Sequence, residues 1–396
     1  MLTPQYLMSA ADPIVEKFSE LEQGITTEIC RLITKIGSTD DVAKWQEAKR
    51  REFGRMTVKA DALITKTETQ SRGLLNGITN DAVNQALATD NAIYAAAGIE
   101  TASVSASPVQ QAILLQGAEN TAALLKNYTQ TTALITSNAF LNALDGAYLQ
   151  VITGASDYAS AIRNAVNALA SLGIHTSAYP TGSHISIEAG IRRAILTGLN
   201  QSVGKLQLAR AEEYGCELVE TSSHAGARPS HAEWQGRVFC IKGHHRHYPD
   251  FYRETGYGTG EGLCGWNCYH NFYPFFEGLS THSFSTDPSA DAGRDNDEDY
   301  RLQQRQRELE RAIRDAKRRV QALDGARDGC PDPDLHAQLD RDFDNASALL
   351  KQREARLKAF LEQHGRTRNP DREQIGLWNR SISAKAVWGG RRAGTP

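Results

Sequence analysis

From Thr221 to Gly278 the chain concentrates His, Cys, Trp, Gly and aromatic side chains, whereas the sequence before it is rich in Ala, Thr and Leu. That contrast constrains the fold more than any other feature. The stretch cannot continue the helical periodicity of its neighbours. A compact module of this composition is either chemically active or a small, densely cross-tied interaction fold.

The region before it reads as helix. Asp12 can cap a helix with Pro13 at its first position, and Ile14, Phe18, Leu21, Ile25, Ile29, Leu32 and Ile33 then share one stripe. Thr39-Asp40-Asp41 opens a second helix that runs past Met56. Ser107-Pro108 opens a third, in which Ile113, Leu114, Ala118, Leu124, Leu125, Leu134, Ile135, Leu141 and Leu144 recur largely at three- and four-residue steps. Ile152 to Leu172 continues the theme until Gly173, and Ser186 to Tyr214 forms a further long helix ended by Gly215. Small side chains bury little area each, at about 25 cal/mol per Å². Residues 1–214 are therefore expected as an elongated helical region that gains stability in an assembly, with an ordinary soluble bundle as the alternative.

At Cys216 the pattern changes. Cys216 to Glu220 and Arg237 to Lys242 are β-compatible runs, and Ser230-x-x-Glu233 has the form of a capping box that would start a helical turn holding Trp234. Residues 215–280 are read as a small α+β module with much loop. Polar residues 281–299 suggest a flexible linker. Beyond it, Leu302, Leu309, Ala316 and Leu323 alternate with Gln306, Ile313 and Val320, and Leu339 to Phe360 repeat the rhythm across the turn-forming break from Asp324-Gly325 to Pro333. Residues 300–365 are thus expected as an antiparallel, coiled-coil-like helical hairpin, with 366–396 as a flexible tail. The fold class is mainly α.

Bulk properties exclude some functions. A net charge of -3 gives no whole-chain attraction to nucleic acid or anionic membrane. No apolar run approaches the roughly 18 residues of a spanning helix. The N-terminus lacks the basic segment and apolar core of a secretory signal, so synthesis and residence in a cytosol, or exit by lysis, are expected. Six cysteines in a chain of this length do not form a disulfide framework.

Three chemistries fit the module. Cys264-x-x-x-Cys268 with His270, together with Cys216, Cys240, His224 and His231, offers enough soft ligands for a structural zinc, with Cys264, Cys268, His270 and His231 the foremost candidates. A thiolate at Cys264 or Cys268, with His224, His231 or His270 as base and Asn267 as orienter, would match Cys-His-Asn catalysis in residue type alone. The preferred reading needs no substrate or cofactor. Arg228 forks onto carbonyls or Glu233, Gln235 and Asn267 satisfy buried backbone, and Trp234 and Trp266 supply core. Gly226, Gly236, Gly262 and Gly265 make tight turns. On that reading Arg228→Ala or Trp266→Ala costs roughly 2–5 kcal/mol. His244-His245-Arg246-x-Tyr248 is expected as an exposed basic loop.

The blocks His224-Ala-Gly-Ala-Arg228-Pro-Ser-His231-Ala-Glu233-Trp234-Gln235-Gly236 and Gly262-Leu-Cys264-Gly-Trp266-Asn267-Cys268-Tyr-His270-Asn-Phe-Tyr-Pro274, with Tyr248-Pro249 and Thr255-Gly-Tyr-Gly between them, resemble the signature of the phage minor capsid protein 2 family. That family is distantly similar to MuF-like minor head proteins of tailed bacteriophages. The resemblance implies a virion structural protein of few copies, made in the host cytoplasm and placed inside the head near the portal. It implies a role in head morphogenesis, DNA packaging or ejection. Implied partners are the portal or major capsid protein, further copies of the chain, and weakly the packaged DNA. It assigns no catalytic residue. The alternative is a Cys/His- or zinc-dependent enzyme, or a toxin-like effector carried in the head.

Overall fold

The computed structural model describes residues 2–36, 41–173, 177–178 and 184–394. In chain order these form α1 (Pro4–Ser9), α2 (Asp12–Ile33), α3 (Val42–Ala96), α4 (Pro108–Ile152) and α5 (Tyr158–Leu172). A two-residue antiparallel pair follows, β1 (Ser177–Ala178) and β2 (His184–Ile185). Then come α6 (Ile187–Glu213), β3 (Leu218–Thr221), α7 (Pro229–Ala232), β4 (Val238–Cys240), α8 (Phe251–Thr255) and β5 (Phe272–Phe275). The last elements are α9 (Pro288–Asp291), α10 (Asn296–Gly329), α11 (Pro333–Gln363) and α12 (Arg380–Arg392). The architecture is mainly α with a small α+β module, as the sequence pattern implies.

Local signals explain the helix starts. The second expected helix begins at Val42, where Asp41 Oδ1 accepts from the Ala43 and Lys44 amides; Thr39 and Asp40 lie outside the described residues. Asp157 caps α5 and Gly173, at φ 63°, ends it. Threonines can line buried helix faces because their hydroxyls donate back one turn, as Thr132 does to Tyr128 O at 2.8 Å and Thr136 to Thr132 O at 2.6 Å.

The chain divides into two compact units, each built from three stretches. The first comprises Met1–Val15, Ser71–Lys126 and Ile191–Gln304. Its helical core sets Leu2, Leu7 and Ala10 against Ala82, Val83 and Ala86 of α3 and Leu196, Leu199, Val203 and Leu206 of α6. The three-stranded sheet, ordered β4-β3-β5 and wholly antiparallel, belongs to the same unit. Residues 281–299, expected as a flexible linker, are tied down. The buried Glu220 carboxylate accepts from the Ser283 amide at 3.0 Å and lies 3.1 Å from His282 Nδ1.

The second unit comprises Glu16–Gln70, Asn127–Gly190 and Arg305–Pro396. Its α10 and α11 run antiparallel. Arg327 of α10 pairs with Asp340 at 3.1 Å and lies 3.9 Å above the Phe343 ring, while Arg353 donates to Ala312 O. The expected break from Asp324-Gly325 to Pro333 is shorter than the sequence implies, since α10 continues through Gly325 to Gly329 and α11 begins at Pro333. A Cβ at Gly325 would stand 2.4 Å from Thr27 Cγ2, and one at Gly329 would stand 2.2 Å from Arg31 O. Both glycines permit close approach of α2; Gly325 lies inside the helix and Gly329 is its last residue. Arg163 of α5 forks onto Asp342 at 2.6 and 2.7 Å. The expected flexible tail carries α12, whose Arg392 forks onto Asp344 at 2.6 and 2.8 Å and whose Gly389 sits against Phe343 and Ser347.

Candidate functional site

Strand register brings the two conspicuous sequence blocks together. Thr221 of β3 pairs with Phe272 of β5. The first block therefore leaves the sheet where the second block enters it. Ser222 and Asn271 extend the pairing by one step, with amide-to-carbonyl and amide-to-hydroxyl bonds of 2.8 and 2.9 Å. The short helix α7 starts at Pro229 after Arg228, whose side chain makes no capping bond, and Ser230 is exposed; the capping-box pattern is not used.

At this end of the sheet His231, Cys268 and His270 converge, all buried. Cys268 Sγ lies 3.7 Å from His270 Nδ1 and 3.8 Å from His231 Nδ1, and the three atoms fall within 4.8 Å of one another. The opposite ring nitrogens face oxygen. His231 Nε2 is 2.8 Å from Glu261 O, and His270 Nε2 is 3.1 Å from Gln235 Oε1. Gln235 Oε1 also accepts from the His224 amide at 3.1 Å, which fixes that oxygen in place. The His270 ring stacks on His224 at 4.5 Å and meets the edge of Trp234 at 4.9 Å.

Burial sets the protonation states. It pulls His231 down to about 4 and His270 well below the ordinary imidazole range, with the Arg228 charge acting in the same direction. It pushes the Cys268 thiol up to about 11 and Cys264 well above its usual value. At neutral pH the trio is two neutral imidazoles and a protonated thiol. A nucleophilic cysteine needs the opposite shift.

The other expected site residues are distributed as follows. Trp234 is 5 % exposed and part of the core with Val219, Phe239, Phe251, Leu263 and Phe272, but Trp266 is 54 % exposed, its ring lying over Gly260. Arg228 Nη2 donates to Trp266 O at 3.2 Å in an exposed setting, and Glu233 is exposed. The expectation that Trp266 is core is thus corrected, and of the two partners expected for Arg228 the structure gives a carbonyl, that of Trp266. Asn267 is exposed and left-handed at φ 53°, so it neither satisfies buried backbone nor orients an imidazole.

Cys264 is buried but also left-handed at φ 59°, which leaves its thiol 3.9 Å from His270 O and outside the trio. Cys216 packs with Tyr94 and Ala211, and Cys240 with Leu218, Val238 and Phe275. Gly236 has φ 65°, and a Cβ there would stand 2.2 Å from Ser285 O. Gly226, at φ 64°, donates its amide to Ser289 Oγ at 2.9 Å. His244 and Arg246 are exposed, as expected of a solvated loop.

Sequence reasoning missed Asn200 of α6. Its amide nitrogen donates to Cys268 O at 3.1 Å and His270 O at 2.9 Å, while its oxygen accepts from Asn271 Nδ2 at 3.1 Å. A signal existed, since Asn200 falls on the stripe of Leu196, Leu199 and Val203, where a polar side chain needs a buried partner. The loop carrying His224 and Arg228 is fastened from beyond the module as well. Asn296 donates to Ala227 O at 3.0 Å and Gln303 to Ala225 O at 3.1 Å.

The family model described as phage minor capsid protein 2 matches residues 2–362. A structural protein of Lactococcus phage LL-H is 28 % identical over 191 residues, covering 47 % of this chain and 50 % of that protein. A structural protein of Lactococcus phage mv4 is 33 % identical over 128 residues, covering 32 % of this chain and 92 % of that protein. The match thus spans half the length of the LL-H relative. No solved structure matches the chain at a significant level.

Proposed function

The chain belongs to the phage minor capsid protein 2 family, and we propose that it is a structural component of the phage head, held in few copies near the portal. There it would serve head morphogenesis and the packaging or ejection of DNA. The observation that carries this reading is the family match over residues 2–362, which takes in both signature blocks and most of the helical sequence around them. The relatives' description as structural proteins supports it.

Two structural features favour the same reading. Leu134, Leu149 and Ile152 of α4 are 65, 58 and 59 % exposed, apolar side chains that a protein partner could cover. The portal protein, the major capsid protein or a second copy of the chain are the proposed occupants. Without a bound metal, burial keeps the Cys264 and Cys268 thiols protonated, which disfavours a Cys/His nucleophile. No helix among the described residues is long and apolar enough to cross a membrane.

Quantitative mass spectrometry of density-purified, DNA-filled virions tests the proposal. The chain should be present at far fewer copies than the major capsid protein, and phage lacking it should assemble heads deficient in DNA content or delivery. Its absence from such virions overturns the reading. Any contact with packaged DNA should weaken steeply with salt.

A further inference from the structure

We propose that His231 Nδ1, Cys268 Sγ and His270 Nδ1 bind one zinc ion, which fastens α7 and the loop entering β5 to each other. The argument begins with hydrogens. Glu261 O and Gln235 Oε1 can only accept, so the Nε2 atoms of His231 and His270 carry the protons. Both Nδ1 atoms are then bare lone pairs, and both point at the same sulfur. A thiol has a single hydrogen, so one of these two buried acceptors is left without a donor.

A cation at the centre satisfies all three atoms at once. Zinc lies about 2.3 Å from sulfur and 2.0–2.1 Å from imidazole nitrogen, which at the tetrahedral angle separates S and N by roughly 3.6 Å. The observed separations are 3.7 and 3.8 Å. Carbonyl acceptors on the far ring nitrogens are the outer-shell arrangement that orients metal-bound histidines. One sulfur and two imidazoles favour zinc over the hard, oxygen-seeking cations. On binding, the Cys268 S–H proton leaves to solvent as the zinc–sulfur bond forms. Among the described residues no fourth Cys, His, Asp or Glu atom joins the group, so the fourth vertex falls to water. Cys264, four residues earlier and equally buried, is not a ligand.

The test uses the full-length chain, stripped by a chelator and titrated with Co²⁺ as a spectroscopic probe. A thiolate-to-cobalt charge-transfer band should grow in, saturate at one cobalt per chain and vanish on adding Zn²⁺. Cys268→Ser should abolish the band and Cys264→Ser should keep it. Gln235→Leu, which frees the His270 tautomer, should weaken metal binding about 10- to 100-fold. If Cys268→Ser fails to fold by circular dichroism, the wild-type band and its response to Gln235→Leu decide the matter. No charge-transfer band in the wild type, or a band lost in Cys264→Ser and kept in Cys268→Ser, overturns the proposal. Neither result bears on where the chain sits in the particle.

Discussion

Asn200 donates to the carbonyl oxygen of His270 at 2.9 Å, and the same amide nitrogen reaches Cys268 O at 3.1 Å. One helix residue therefore holds the backbone on both sides of Tyr269 and sets the direction in which Cys268 and His270 present their side chains. Asn200→Leu keeps the volume but leaves two buried carbonyls without this donor, a cost of about 1–3 kcal/mol. Urea unfolding should show a lower midpoint with an unchanged slope. A midpoint equal to that of the wild type would mean that the carbonyls find other donors and that Asn200 is not the anchor.

The two tryptophans of the module should behave in opposite ways. Trp234 is buried against His231 and His270, and its carbonyl accepts from Thr221 Oγ1 at 2.9 Å. Trp234→Ala should cost about 3–5 kcal/mol through the cavity it leaves. Trp266 is mostly exposed, and Trp266→Ala should stay within about 1 kcal/mol of wild type. Thermal melting of the two variants side by side checks this; equal losses would contradict the burial difference.

How far the sequence revealed this structure depended on whether a signal was local. Asp12 with Pro13, Ser107 with Pro108, and Gly173 act on their own turns, and the helices start or stop beside them. Gly325 reads as a breaker, yet α10 runs through it, because what it serves is contact with Thr27, far away in sequence. The site was legible in residue type but not in selection. Nothing in Cys264-x-x-x-Cys268 says which thiol meets the imidazoles. The left-handed backbone at Cys264 and the pairing of Thr221 with Phe272 decide that, and both are tertiary facts. Trp266 shows the same limit, since an indole in a glycine-rich loop looks alike in sequence whether it is buried or laid over Gly260.

Asp90 should make the first unit less stable as pH rises. It is buried, accepts from Gln207 Nε2 at 3.2 Å, and is raised to about 7 by burial, only partly offset by that bond and by Arg210. A carboxyl whose folded value exceeds its unfolded value of 3.8 binds more protons when folded. Stability is thus greatest below about pH 4 for this group, falls through the interval up to about 7, and is level above it. The full effect is on the order of 4 kcal/mol. Asp90→Asn keeps an acceptor for Gln207 Nε2 and removes the charge. The variant should gain on wild type at pH 8 and match it near pH 4. Parallel stability curves across that range would exclude the mechanism.

Glu188 carries the opposite dependence in the second unit. Burial would raise its carboxyl, but Arg318 at 2.8 Å and Arg314 at 3.0 Å outweigh burial and hold it below the ordinary carboxylate range. Ser19 Oγ donates to Glu188 Oε1 at 2.9 Å and accepts from the Gly376 amide at 2.8 Å, so α2, α6, α10 and the segment before α12 meet at one carboxylate. Glu188→Gln keeps the shape and the Ser19 bond but removes the charge that Arg314 and Arg318 share, leaving Arg318 with Asp315 at 2.8 Å and Glu22 at 3.6 Å. Breaking one side of a buried ion cluster costs about 3–5 kcal/mol. The sign with pH follows from the lowered value. The contribution of Glu188 is complete above the unfolded carboxylate value and is lost as pH falls through the folded one. The deficit of Glu188→Gln relative to wild type should therefore be full at pH 7 and shrink in acid, as protonation of wild-type Glu188 abolishes the same attraction. Paired urea titrations at several pH values measure that difference directly. A deficit of the same size at every pH would show that Glu188 acts through shape and hydrogen bonding, and that its charge is incidental.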